Sequence, residues 1–272
     1  MLLKGYSKAL YSSWYYYAPD RLLFDCGEGA TLYLRQEIFA VEKIFISHGH
    51  IDHVAGLLSF ICLRQSTKGD NDKPLSIYYP EGDRSVEIIR NTVKDMFGRF
   101  VKYPLTWIAI NPDMRIELRK GRYMETFQAD HQIENPLVFV VTERRKKLKT
   151  ELQGRPGKEL AQLNDSEKYE YAKAKLFAYS GDSMPISPEV YKNVNVLLHE
   201  CTFLNPNDRK YPVHSNVQEV FDLARDAGVK RLILTHFSPR YFRKEIPALI
   251  DAANTHDVVF DLVMPERVCR FD

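Results

Sequence analysis

"KIFISHGHIDHVAGL", residues 43–57, passes from an apolar run into three histidines and an aspartate within six positions, then into a helical apolar face at Val54, Leu57, Leu58 and Ile61. The run 43–47 reads as a buried strand, and Gly49 gives the backbone room to turn where it ends. His48, His50, Asp52 and His53 therefore sit on a loop leaving a strand, which can aim alternate side chains at one centre. Side chains at i and i+2 can face one metal while those at i+4 and i+5 reach a neighbour. Zinc accepts imidazole nitrogen and carboxylate oxygen, and its shell here needs further ligands from other strand ends.

The rest of the chain supplies such ends. Segments 21–25, 75–79, 137–141, 176–180, 194–199 and 231–236 also read as strands, with helical faces between them at Ile89, Val93, Met96 and at Val217, Val220, Phe221, Ala224. Strands alternating with helices predict an α/β layered fold. His131 precedes the strand 137–141, Asp182 follows the strand 176–180 and His236 ends the strand 231–236. Of the eight histidines, His256 alone falls outside these contexts or the "HECTF" and "HSN" segments. "CGEGA" (26–30) lacks the G-x-G-x-x-G spacing of a dinucleotide site.

Composition sets outer bounds. With 272 residues, 44% of them hydrophobic, the chain can fill a sizeable core. A net charge of +2 implies no anionic partner by itself. Cys26, Cys62, Cys201 and Cys269 show no C-x-x-C pairing and read as reduced core thiols of a cytoplasmic protein. No apolar run approaches signal-peptide or membrane-spanning length, so secretion and a membrane location are not expected.

H-x-H-x-D-H, an isolated His131, Asp182 in "SGDS" and His236 after a strand together resemble the metallo-β-lactamase superfamily. "LLFDCGEGA", "YSGDS", "HECTF", "HSN" and "LTHFSPRY" narrow the resemblance to the RNase Z family, over about residues 7–243. The resemblance implies a four-layered αβ/βα sandwich and two Zn2+ ions per subunit, other divalent metals being possible. His48, His50 and His131 would hold one ion, Asp52, His53 and His236 the second, with Asp182 bridging. Seven protein ligands on two ions leave coordination open, as catalysis requires. Asp25 resembles the carboxylate that orients a ligand imidazole. Asp52 also orients the nucleophile, Glu200 and His214 deliver a proton to the leaving oxygen, and Arg240 of "SPRY" contacts a phosphate. His199, beside Glu200 on a strand, faces the other way and is structural; Tyr241 is as readily a packing residue. The implied activity is removal of the 3′ trailer from precursor tRNA, by a homodimer in which one subunit's arm grips tRNA cut by the other. Family members commonly open with a glycine-rich turn and a basic loop that senses the CCA end. "MLLKGYSKALYSSWYYY" stands in that place, so trimming after an encoded CCA is expected over cutting at the discriminator base.

One segment departs from the alternation. "RRKKLKTELQGRPGK" (144–158) carries Arg144, Arg145, Lys146, Lys147, Lys149 and two more cations against Glu151 alone, a local charge of +6 in a chain whose total is +2. The polar "ELAQLNDSEKYEYAKAK" after it reads as helical. Residues 142–175 are thus expected to project as a basic arm from a single domain spanning 1–272, gripping tRNA phosphates. A solvated basic loop with no partner is the plainer alternative. Two other functions stay open: a zinc phosphodiesterase for small or cyclic phosphodiesters, which has no use for the arm, and an RNA-binding protein whose metals only stabilise the fold.

Overall fold

The computed structural model describes residues 1–66 and 72–272. Its first sheet is built from β1 (Leu3–Lys8), β2 (Ser12–Tyr17), β3 (Leu22–Phe24), β4 (Lys43–Phe45), β5 (Leu75–Pro80) and β6 (Leu105–Ile110). The second holds β7 (Arg115–Arg119), β8 (Arg122–Gln128), β9 (Leu137–Leu148), β10 (Tyr169–Tyr179), β11 (Val196–Glu200), β12 (Leu232–Thr235) and β13 (Phe260–Leu262). The last strand, β14 (Cys269–Phe271), returns to pair with β1. The sheet orders are thus β14-β1-β2-β3-β4-β5-β6 and β13-β12-β11-β10-β9-β8-β7.

Period-two alternation decides which side chains fill which layer. In "SSWYYY", Tyr15 and Tyr17 face the second sheet while Trp14 and Tyr16 face the outer helices. Phe24 and Phe45 point inward, Leu23 and Ile44 outward. Aromatic rings join the sheets: Tyr17 meets Phe177 at 4.7 Å, Tyr15 meets Tyr179 at 5.1 Å and Phe24 meets Phe139 at 5.9 Å between centroids. Fully burying a side chain of this size contributes about 1.5–3 kcal/mol, so this layer accounts for much of the stability. Helices Leu57–Ser66 and Arg84–Phe97 cover the first sheet with Leu57, Phe60, Ile61, Val86 and Val93. Helix Val217–Asp226 covers the second with Val217, Val220, Phe221 and Ala224, the spacing read from the sequence. Met96 departs from expectation: it is exposed, one turn beyond the last buried position of its helix. The result is the expected four layers of helix, sheet, sheet and helix.

β3, β4 and β5 run parallel, as do β10, β11 and β12. Functional groups in such sheets collect beyond the carboxyl ends of the strands, and Asp25, His48, Asp182, Glu200 and His236 all lie there. Gly27, in the "CGEG" turn after β3, is a packing contact: a Cβ on it would fall 2.3 Å from the Asp52 carbonyl oxygen.

The segment 142–175 corrects one expectation. Its last seven residues are strand, not helix: Tyr169–Lys175 belongs to β10 and pairs antiparallel with the basic end of β9, from Tyr169↔Leu148 to Lys175↔Thr142. Only Gly157–Ala161 and Asp165–Lys168 are α-helical. Cross-strand pairs override the helical composition: Arg144 stacks 3.6 Å from the Tyr171 ring centroid and Lys147 pairs with Glu170 at 3.4 Å. The register of β8 with β9 ends at Arg122↔Glu143, so residues 144–148 continue as a two-stranded ribbon with β10. A register shift between Lys175 and Phe177 marks the passage from body to ribbon. The arm thus projects as an extension of the second sheet.

Candidate metal centre

Strand β4 delivers "SHGHIDH" to the edge of the sandwich. His48 is fully buried, His50 precedes the short helix Ile51–Val54, and Asp52 and His53 lie within that helix. Gly49 cannot be larger, because a Cβ there would fall 2.1 Å from Asp83 Oδ1, whose side chain caps helix Arg84–Phe97 by accepting from Val86 N. Asp25 and His236 adopt left-handed backbone angles, φ 54° and 62°. Such conformations cost energy for residues with a Cβ and mark positions where side-chain aim is decisive.

The side chains predicted from different strand ends come together. His48, His50, His131 and Asp182 form one group of donor atoms within 4.8 Å of one another, and Asp52, His53 and His236 form a second. Asp182 Oδ2 stands between them, 3.7 Å from His48 Nε2, 3.4 Å from His53 Nε2 and 3.3 Å from His236 Nε2. Asp52 Oδ2 lies 3.5 Å from both His53 Nε2 and His236 Nε2. The Nε2 atoms of His48, His53 and His236 are buried without a hydrogen-bond partner. Buried polar atoms are ordinarily satisfied, so three orphaned nitrogens converging on two carboxylates are a donor set that fits divalent metal.

Behind these donors, hydrogen bonds fix each ring. Asp25 Oδ2 accepts from His53 Nδ1 at 2.7 Å, from Tyr179 Oη at 2.6 Å and from Ser47 Oγ at 2.8 Å, while Ser47 Oγ in turn accepts from His48 Nδ1 at 3.0 Å. On the opposite side His236 Nδ1 donates to Thr202 Oγ1 at 3.0 Å, and Thr202 Oγ1 donates to Glu200 Oε2 at 2.7 Å. His131 Nδ1 donates to the Val213 carbonyl at 2.8 Å. Each arrangement holds the Nδ1 proton and leaves Nε2 free for a metal. Thus two serine or threonine hydroxyls extend single carboxylates to two imidazoles.

Ser47, Thr202, Tyr179 and the Val213 carbonyl were not singled out from the sequence. Ser47 adjoins His48 and Thr202 stands within "HECTF", so their proximity was a usable signal; a backbone acceptor leaves none. Asp25→Ala removes the acceptor from two rings at once. Outer partners of this kind are worth about 10–100-fold in metal affinity, the loss expected when zinc competition with a chelator is compared between Asp25→Ala and the parent.

Charge follows from the packing. Burial, reinforced by His53, holds the His48 pKa well below its usual value, and burial also lowers His50 and His131, so these rings stay in the neutral ligand form. His53 differs: burial opposes its protonation, yet Asp182 and Asp25 on either side push its pKa well up. A metal entering there exchanges for that proton. Burial alone would raise Asp182 and Asp52, but His236 and His53 beside them hold both carboxyls well below the usual range.

Glu200 and His214 flank the centre. Glu200 Oε1 accepts from His214 Nδ1 at 3.0 Å, from Ser215 N at 3.0 Å and from Ser183 N at 3.2 Å, and Oε2 also accepts from Thr202 N at 2.9 Å. Saturated in this way, it is fixed as an anion. Burial disfavours charge on His214, but Glu200 more than offsets this and its pKa is pushed up to about 9. "HSN" has a local reason as well. Asn216 caps helix Val217–Asp226 reciprocally with Glu219, and Arg209 pairs with Glu219 at 2.6 Å while donating to the His214 carbonyl at 3.0 Å. His214 also comes within ligand range of Asp182 and His236.

The remaining predicted residues lie outside the centre. His199 is buried, donates to the Glu200 carbonyl at 2.7 Å and packs beside Tyr191, as a structural residue does. Arg240 rests 5.1 Å from the Phe203 ring centroid and donates to the Asp208 carbonyl at 3.0 Å, with its side chain half exposed. Tyr241 donates to Asp208 and accepts from Leu204 N, a packing role. Arg144, Arg145, Lys146, Lys147 and Lys149 all lie on the ribbon or its tip, at the end of β10 opposite to Asp182.

Comparison with known proteins agrees with this geometry. Residues 20–237 match the β-lactamase superfamily domain. A ribonuclease Z from Halalkalibacterium halodurans is 31% identical over 272 residues, covering 86% of this chain and 85% of its own. A ribonuclease BN from Proteus mirabilis is 30% identical, covering 88% and 85%. Among solved structures, human tRNase Z, short form, superposes with a TM-score of 0.65 at 19% identity over 98% of both chains, a likeness of fold.

Proposed function

The chain belongs to the ribonuclease Z family of the β-lactamase superfamily, and on that premise we propose that it is a metal-dependent endoribonuclease removing the 3′ trailer from precursor tRNA. The observation that carries this reading is Asp182 Oδ2, placed within 3.7 Å of His48 in one donor group and 3.4 Å of His53 in the other. Two donor groups sharing one carboxylate support a pair of ions, and imidazole with carboxylate supports zinc. His48, His50 and His131 would hold one, Asp52, His53 and His236 the second, and Asp182 both. When bound, such a pair neutralises charge on a phosphodiester and activates water for attack on phosphorus.

The chain's own groups do the rest. Asp52, ionised and fixed by the Leu10 N–H at 3.2 Å, orients the attacking water. As the bond from phosphorus to the 3′ oxygen breaks, the departing oxygen needs a proton. His214, charged near neutrality and held through Nδ1 by Glu200, presents Nε2 to supply it. The products are a tRNA 3′-hydroxyl and a trailer carrying the phosphate.

The arm supports a tRNA substrate. Residues 142–175 hold ten cations and six acids, and several of the cations pair only with exposed acids such as Asp165 and Glu170. Exposed pairs are worth about 0–1 kcal/mol, so RNA phosphates can displace them. The eleven residues of β10 run roughly 35 Å from the tip of the basic ribbon to the strand end beside Asp182. An arm that far from its own site favours a homodimer in which it serves the partner's site. A single unit over 1–272 is favoured by one core cluster that runs from Leu3 to Phe271. A cytoplasmic location fits four free cysteines, and no helix among the described residues is long and apolar enough to cross a membrane. Arg240, beside Phe203 and the His214 loop, is a phosphate contact, with Asp208 as the partner it releases.

Replacing Arg144, Arg145, Lys146, Lys147 and Lys149 together by alanine separates this reading from a small-phosphodiester hydrolase. Precursor tRNA cleavage is expected to lose about tenfold or more in kcat/KM and part of its salt dependence, while hydrolysis of bis-p-nitrophenyl phosphate stays unchanged. Equal rates on tRNA would return the arm to a solvated loop and favour the small-substrate enzyme.

A further inference from the structure

A cleft of about 1210 Å³ lies where β13 and β14, the edges of the two sheets, approach each other. Arg243, Lys244, Arg267 and Arg270 line it, all exposed and none with an ion-pair partner among the described residues. Its two acids do not neutralise them. Asp261 is taken by Arg231 at 2.6 Å, and Asp272 by the chain's amino terminus at 3.1 Å. Phe242, which lines the cleft, is 69% exposed, a cost in water for an aromatic ring.

Turns that line or adjoin the cleft lead on to the metal centre. Leu10 N donates to Asp52 Oδ2, and Lys8 in the same turn pairs at 2.9 Å with Glu266, the neighbour of Arg267. From the other side, Phe242 follows His236 by six residues through the "SPRY" turn. At its far end lie Arg231, before β12, and Asp272, after β14. The cleft therefore runs along the edge of the sandwich with its Phe242 and Arg267 end toward the site.

Unpaired cations along a groove with an exposed aromatic ring are the chemistry of single-stranded nucleic acid: phosphates meet the cations and a base stacks on the ring. Duplex RNA would use the charges and leave the ring idle. We propose that this cleft is a track for the single-stranded 3′ extension of the RNA substrate where it leaves the metal centre; this rests on the endonuclease reading above. The arm then holds the body of the tRNA and the cleft holds the segment to be removed.

The test compares two precursor tRNAs, one with a long single-stranded trailer and one with a single-nucleotide trailer, on metal-loaded protein. In Phe242→Ala and in the triple variant Arg243→Ala/Arg267→Ala/Arg270→Ala, kcat/KM for the long trailer is expected to fall about tenfold, the scale of one lost stacking or a few phosphate contacts, with the short trailer within about twofold. Bis-p-nitrophenyl phosphate hydrolysis should be unchanged, which also certifies the fold. No loss on the long trailer, or equal loss on both, overturns the track. If the parent protein cuts neither precursor, the endonuclease reading fails on its own. The cleft is then judged by anisotropy of a labelled single-stranded oligoribonucleotide: weaker binding by the triple variant sustains it, and equal binding overturns it.

Discussion

Asp182→Ala is expected to abolish precursor tRNA cleavage, with a loss beyond about 10³-fold, more than a single preorganised donor is usually worth. Asp182 Oδ2 faces His48, His53 and His236 within 3.7 Å, and among the described residues no other carboxylate reaches both donor groups. Asp52 reaches only the second group. Removing Asp182 leaves three buried imidazoles converging without the anion that binds them together, so metal content should fall together with activity. Measuring zinc per subunit beside kcat checks both halves. A variant that retained its metal content and its rate would show that Asp182 does not join the two donor groups.

His214→Ala is the second large effect, and its pattern matters more than its size. A positioned proton donor contributes about 10²–10⁴-fold, so kcat on precursor tRNA should drop by that order with metal content intact. Bis-p-nitrophenyl phosphate tests the role directly, because its leaving group departs as a stable phenolate and needs no proton. Its hydrolysis should be nearly unaffected. His214 also lies within ligand range of Asp182 and His236, and a ligand role would instead lower metal content and depress both substrates alike. Glu200 is less informative as a target, since its five donors include the Thr202 hydroxyl that steadies His236.

The metal centre was legible because its residues are chemically conspicuous and sit where strands end. His48, His50, Asp52 and His53 announce a site by spacing; Asp182 and His236 join it because parallel strands bring their carboxyl ends to one edge, and His131 joins from the turn between antiparallel β8 and β9. The hydroxyl relays through Ser47 and Thr202 were harder to see, since serine and threonine are common and their partners become adjacent only after folding. The N-terminal hairpin was not read as strand at all. "SSWYYY" is buried on both faces, so it shows no polar alternation, and its pairing with β1 and β3 is visible only in the sheet. The arm misled for the opposite reason. "YEYAKAK" holds five helix formers, Glu, Ala and Lys, beside two tyrosines, but Arg144 over Tyr171 and the antiparallel partner strand decide the outcome.

The most direct test of the account is to incubate the zinc-loaded protein with a precursor tRNA bearing a 3′ trailer and sequence the new 3′ ends, with Asp182→Ala alongside. A single cut leaving a 3′-hydroxyl after the encoded CCA, absent in Asp182→Ala, is the predicted result. No cut in the tRNA, with bis-p-nitrophenyl phosphate still hydrolysed, would contradict it and leave a phosphodiesterase of small substrates.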